Sequence, residues 1–292
     1  MTIPVASLNT FQKGAIRKEF IQRCDKALRE VITGDDARVA LRLVLHDAGT
    51  YDVATKSGGL DGSVILNKDE AARPENRDFA PYVAKLRRAK EAIDAQARPG
   101  QAGVSWADLE VLAARTALRA SFRDTKLRRA AARSPDGKAN PAAADAVTAD
   151  FPVNVGRVDG GETAGPAGKL PAVDADAVAV RDFFAGLGAK PGKDGPFGPA
   201  LPLFWQRPAF VLWAASVPED RAEECEARLA AADPLFAEAK KKYDRDRNTF
   251  SRTGFEVDVI EAFAALSSSR CGAKVDPDAY LYDIQVETVK IS

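Results

Sequence analysis

From Thr10 to about residue 120, apolar residues recur every three or four positions with charges between them. In FQKGAIRKEFIQRCDKALREVI, the spacing of Phe11, Ile16, Phe20, Cys24, Leu28 and Val31 predicts an amphipathic helix. GDD then offers Asp35 or Asp36 as the N-cap of a second helix through ARVALRLVLHDAGT, with Gly49 as its stop. RDFAPYVAKLRRAKEAIDA repeats the pattern through Phe79, Val83, Leu86 and Ile93. SWADLEVLAARTALRA opens on the spacing of a capping box, Ser105 to Asp108. No strand-like alternation interrupts these elements, so residues 1–120 read as one all-α lobe.

Residues 121–150 are rich in Ala, Arg and Asp and are broken by Pro135 and Pro141. They read as an insertion, a short basic helix followed by a surface loop. Gly and Pro dominate from Phe151 to Leu203, and helical spacing returns in EDRAEECEARLAAA and in DPLFAEAKKKYDRDRNTFSRTGFEVDVIEAFAAL. A second lobe over 151–268 follows. In the extension at 269–292, Tyr282, Ile284, Val286 and Thr288 alternate with polar residues, the period of a strand that needs a partner in this chain or another.

With 292 residues, 46% of them hydrophobic, the chain can bury a large core. The 42 basic and 42 acidic side chains cancel, leaving no field to attract nucleic acid or an anionic membrane. No apolar run approaches the roughly 18 residues of a membrane span, so any membrane association is peripheral. MTIPVASLNT lacks the charged and apolar regions of a secretory signal. Cys24, Cys225 and Cys271 form no CxxC pair, hence neither a disulfide framework nor a zinc site, and no metal site is expected.

The only histidine, His46, stands four residues after Arg42 in LRLVLHDAGT. On a helix the two share a face. A neutral imidazole beside a guanidinium suits peroxide chemistry: the base takes a proton while the cation stabilises charge developing on oxygen. A lone histidine on an apolar helix is more often a satisfied core residue.

Four stretches, LRLVLHDAGTYD, SGGLDGSVIL, RPENRDFAPYVAKL and VSWADLEVLAARTAL, resemble in order and spacing the class I haem peroxidases, the ascorbate peroxidase group. The resemblance implies an all-α, two-lobed haem-peroxidase fold. It makes Arg42 the distal arginine, His46 the distal base, and Asn76 the residue whose side-chain carbonyl holds the histidine's ring N–H. GRVDGGETAGPAGKLP resembles the loop beside the haem edge, and DPLFAEAKKKYDRDRNTF a late helix of the family.

The departures concern function. Where the family carries its proximal histidine, RDFFAGLG runs into AKPGKDGPFGPALPLFWQRPAF. Pro191, Pro196, Pro199 and Pro202 oppose a helix there, and no histidine follows His46. Trp205 and Asp220 match the family's proximal tryptophan and carboxylate with no imidazole between them. Leu45 occupies the distal tryptophan position. Gly34 and Asp36 stand where ascorbate-using members carry lysine and cysteine.

The expectation is therefore a pseudo-peroxidase without haem, its distal site Arg42, His46 and Asn76 vestigial. The remodelled proximal lobe would fill the haem space with side chains such as Phe197, Phe204, Trp205 and Trp213. Such a protein serves as a structural or assembly subunit, docking on protein partners through 121–148 and the 272–292 tail. Plant members of the family include a thylakoid-lumen protein regarded as lacking peroxidase activity and associated with photosystem II. That analogy implies a chloroplast location and a photosynthetic complex, with a mitochondrial assembly as the alternative. Two rival functions are a haem peroxidase with Cys225 or His46 as an unusual axial ligand, and a module that binds a pigment or another small apolar ligand.

Overall fold

The computed structural model describes residues 2–52, 55, 57–148, 150–160, 170–186, 216–217, 219–246, 254–267 and 274–285. The first helix, α1 (Thr10–Arg29), starts from a reciprocal cap. Gln12 N–H donates to Asn9 Oδ1, and Asn9 N–H donates to Gln12 Oε1, each at 2.9 Å. Ile16, Phe20, Cys24 and Leu28 form its buried stripe, whereas Phe11 is exposed.

α2 (Ala37–Gly49) is buried on nearly every side and forms the centre of the fold. Neither Asp35 nor Asp36 caps it with a side chain. Instead Thr33 and Asp36 cap a 3-10 turn at Gly34–Asp36 reciprocally, and α2 continues from that turn. The Asp36 carboxylate also holds Lys85 Nζ at 2.7 Å, fastening the turn to α5 (Ala80–Asp94). Two one-turn helices, α3 (Ser63–Leu66) and α4 (Lys68–Ala71), lie between α2 and α5.

α6 (Trp106–Arg133) packs along α2 and runs unbroken across position 120, where the sequence pattern puts the start of the insertion. Neither proline nor glycine occurs between Trp106 and Arg133, so helix continues until Pro135 and Gly137 stop it. The expected surface loop is also partly helical. Asn140 caps α7 (Pro141–Val147), which packs back on α6.

The C-terminal half supplies α8 (Ala177–Gly186), α9 (Glu219–Ala232), α10 (Pro234–Asp246) and α11 (Gly254–Leu266). Phe184, Leu229 and Phe263 join Phe20, Leu41 and Leu112 in one hydrophobic cluster that draws on both halves of the chain. One buried ion pair, Lys126 with Glu256, ties α6 to α11.

The tail finds its partner at the chain's other end. β2 (Ile284–Gln285) pairs antiparallel with β1 (Thr2–Ile3), in the register Thr2 to Gln285. Before it, the Tyr280 ring stacks on Phe20 at a centroid distance of 3.7 Å. Tyr280 has φ of 62°, which costs a non-glycine residue of order 1–3 kcal/mol. The stacking and the bonds of its hydroxyl hold it there. Residues 274–285 are therefore committed within the chain, and the segment beyond Gln285 lies outside the described residues.

Candidate functional site

Arg42 and His46 do share one face of α2, as their spacing requires. The His46 ring is 2% exposed, with Nε2 3.0 Å from Glu70 Oε1. Glu70 is itself fully buried. It sits in α4, whose N-terminus is capped by Asn67 Oδ1 accepting from the Asp69 and Glu70 N–H groups.

Asn76 takes a different part from the one its resemblance implies. Its amide Nδ2 donates to the Glu70 carbonyl at 2.8 Å and lies 3.4 Å from His46 Nε2. Its Oδ1 and His46 Nδ1 are both buried without a hydrogen-bond partner. A carboxylate, not the Asn76 carbonyl, holds the histidine, and Asn76 positions that carboxylate through its backbone. Sequence reasoning missed Glu70 because local spacing in NKDEAARPEN gives no sign of a contact with a histidine 24 residues earlier.

Arg42 Nη2 donates to the Pro171 carbonyl at 2.8 Å. Burial lowers its pKa, opposed by Asp78 and Cys225. One turn earlier on the same face, Arg38 donates to the Val217 carbonyl. Both arginines thus fasten α2 to backbone of the C-terminal half. They line a cleft of about 500 Å³ that Phe79, Val173 and Ser216 also border.

Beside His46, Asp47 makes a second buried group. It accepts from the N–H of Asp61 at 2.8 Å and of Gly62 at 2.9 Å, and from Ser63 Oγ at 3.2 Å. Gly62 adopts φ of 74°, and a Cβ there would lie 2.9 Å from Trp106 Cβ, so glycine alone allows this turn. Glu110, fully buried on α6, interacts with Asp47 side chain to side chain. Burial and the Asp47 charge push its pKa well above the usual carboxylate range.

Cys24 is buried, and burial pushes its thiol up to about 12, which makes it inert. Cys225 is also buried, 3.8 Å from Arg228 Nη2, although the dense charge of EDRAEECEARL suggests a solvent-facing helix. Cys225 and Leu229 point to the core at a spacing of four, and of the described charges on α9 Glu226 is buried as well. Asp220 is exposed on the same helix. Cys271, Phe197, Phe204, Trp205 and Trp213 lie outside the described residues.

An iron porphyrin held in the manner of the resemblance needs a proximal imidazole, and these residues do not fit it. The single imidazole is on α2 with Nε2 bonded to Glu70. Among the described residues, no group of three or more His, Cys, Asp or Glu side chains is arranged to hold a metal ion, and no helix is long and apolar enough to cross a membrane.

Fold and site together define a protein built on the all-α peroxidase scaffold. The chain belongs to the peroxidase family, whose model, described as Peroxidase, matches residues 18–191. It is 32% identical over 248 residues to the thylakoid lumenal 29 kDa protein, chloroplastic, of Arabidopsis thaliana, and 31% identical over 245 residues to that of Solanum lycopersicum. Those matches cover 84% and 83% of this chain but 64% of each relative, so the chain spans about two-thirds of their length or slightly less. L-ascorbate peroxidase 2, cytosolic, of Arabidopsis thaliana is 27% identical over 86% of this chain and 92% of its own. The crystal structure of the TL29 protein from Arabidopsis thaliana superposes with a TM-score of 0.76 at 28% identity, covering 92% of this chain and 99% of that one.

Proposed function

We propose that the chain is a peroxidase-fold protein without haem chemistry, acting through protein contacts in a photosynthetic assembly of the chloroplast thylakoid lumen. The observation that carries this reading is the Glu70 bond to His46 in a chain with no second histidine. A haem peroxidase needs a second imidazole to anchor the iron on the side opposite the distal base. Here the single imidazole is on α2 in contact with Glu70, and Arg42 is engaged by a carbonyl of the C-terminal half. The lumenal relatives' names supply the compartment.

The docking elements are redrawn. The 121–148 segment contributes half of α6, and 274–285 is folded onto α1, so deleting either would damage the fold rather than only release a partner. The exposed Phe11, at 85% exposure, is the better anchor for a partner.

Two measurements test the proposal. Haemin titrated into the purified chain is expected to give no stoichiometric Soret shift, and peroxide turnover should stay at the level of free haemin. A saturable one-to-one Soret complex whose turnover falls in His46→Ala would sink it. On native gels of gently solubilised thylakoids, the chain should migrate in an assembly well above its 31.2 kDa mass, and Phe11→Ser should return it to that mass. Migration of the parent as a free monomer defeats the subunit role. The cleft beside Arg42 favours one second reading, a small-ligand module, whose signature is a co-purifying chromophore without iron.

A further inference from the structure

Arg115, Arg119 and Arg123 stand four residues apart on α6, which puts three guanidiniums on one helix face. Like charges at that spacing destabilise a helix unless something answers them. Two are answered within the chain. Arg115 donates to Asp25 at 2.7 Å, to Asp150 at 3.0 Å and to the Phe151 carbonyl at 2.9 Å. Arg123 Nε donates to Asp145 at 2.5 Å.

Arg119 makes no ion pair among the described residues, and its Nε is sealed from solvent without an acceptor. Arg29, exposed at the end of α1, likewise makes none. Both are close enough to help Arg123 hold the Asp145 carboxyl below its usual range.

All four arginines line one cleft of about 410 Å³, floored by α6 and walled by α1 and α7. That volume falls in the range of small-molecule pockets. A guanidinium presents a rigid planar fork that matches phosphate oxygens two at a time. The carboxylates of Asp25 and Asp145 on the same walls disfavour a singly charged acid, which gains too little from Arg29 and Arg119 to offset them.

We propose that this cleft binds a small phosphorylated anion carrying at least two negative charges, with Arg119 as its deep contact and Arg29 at the rim. The site is separate from the cleft at Arg42 and does not depend on the reading of His46.

Calorimetric titration of the full chain with pyrophosphate, at constant ionic strength, tests it. One saturable site is expected, with affinity reduced about tenfold in Arg119→Gln, the loss of one charge-assisted contact. Arg29→Gln, at an exposed position that cannot threaten folding, should weaken it several-fold. Arg88→Gln, exposed on α5, should leave it unchanged. Pyrophosphate binding no tighter than sulfate, or Arg29→Gln and Arg119→Gln both binding like the parent, overturns the proposal. A phosphoserine peptide bound more tightly than pyrophosphate overturns the assignment to a small ligand.

Discussion

Asp108→Ala is expected to destabilise the protein by about 3–5 kcal/mol, the range for removing one partner of a buried ion pair. Asp108 is fully buried near the start of α6 and draws two distant segments to that helix. One oxygen accepts from Gly156 N–H at 2.6 Å, from Arg157 N–H at 3.2 Å and from the Tyr280 hydroxyl at 2.7 Å. The other accepts from Arg157 Nη1 at 2.7 Å. Without the carboxylate, the Arg157 cation, 3% exposed, keeps only the carbonyls of Asn154 and Ser267. The Tyr280 hydroxyl also loses its carboxylate acceptor and keeps only Ser105, which loosens the tail that β2 ends. Asp108→Asn preserves shape and one acceptor and should lose about 1–3 kcal/mol. Urea unfolding measures both, and hydrogen exchange should quicken over 274–285 in the alanine variant. A loss below about 1 kcal/mol for alanine would falsify the hub.

This hub shows where sequence reading stops. Ser105-x-x-Asp108 has the letters of a capping box, and the serine half forms, with Asp108 N–H donating to Ser105 Oγ at 3.1 Å. The aspartate half goes elsewhere, because Arg157 and Tyr280 are 49 and 172 residues away and local spacing carries no trace of them. The same division runs through the candidate site. A period near 3.6 put Arg42 and His46 on one face of α2, since helix geometry alone determines it. Glu70 needed a tertiary contact across 24 residues to become a buried partner. The alternation of Tyr282 and Ile284 announced a strand, but β1, two residues long, is too short to announce itself as its mate. At Cys225 the density of charge in EDRAEECEARL hid a narrow apolar stripe that helical spacing does contain.

Glu110→Gln is expected to stabilise the protein by an amount that grows with pH. Asp47 has three donors from the Asp61–Ser63 turn, while no N–H or O–H donor reaches either oxygen of Glu110 among the described residues. Of the two facing carboxyls, Asp47 is therefore the one that ionises and Glu110 the one that keeps a proton. Below the unfolded pKa of about 4.3, folded and unfolded states both hold that proton, and the substitution should matter little. Above it, the unfolded chain releases the proton while the folded chain retains it. Stability then falls with rising pH, by up to about 1.4 kcal/mol per pH unit, until the raised folded value is passed. Asp61, pushed up to about 6 by burial and by Asp47, adds a loss of the same sign, but it is present in both proteins and cancels in the comparison. The amide that replaces the Glu110 carboxyl carries no titrating proton and still offers an N–H to Asp47. Urea unfolding of parent and variant at pH 4, 6 and 8 reads the result: a difference that widens with pH places the proton on Glu110, and one that stays flat means both carboxyls are ionised in the core.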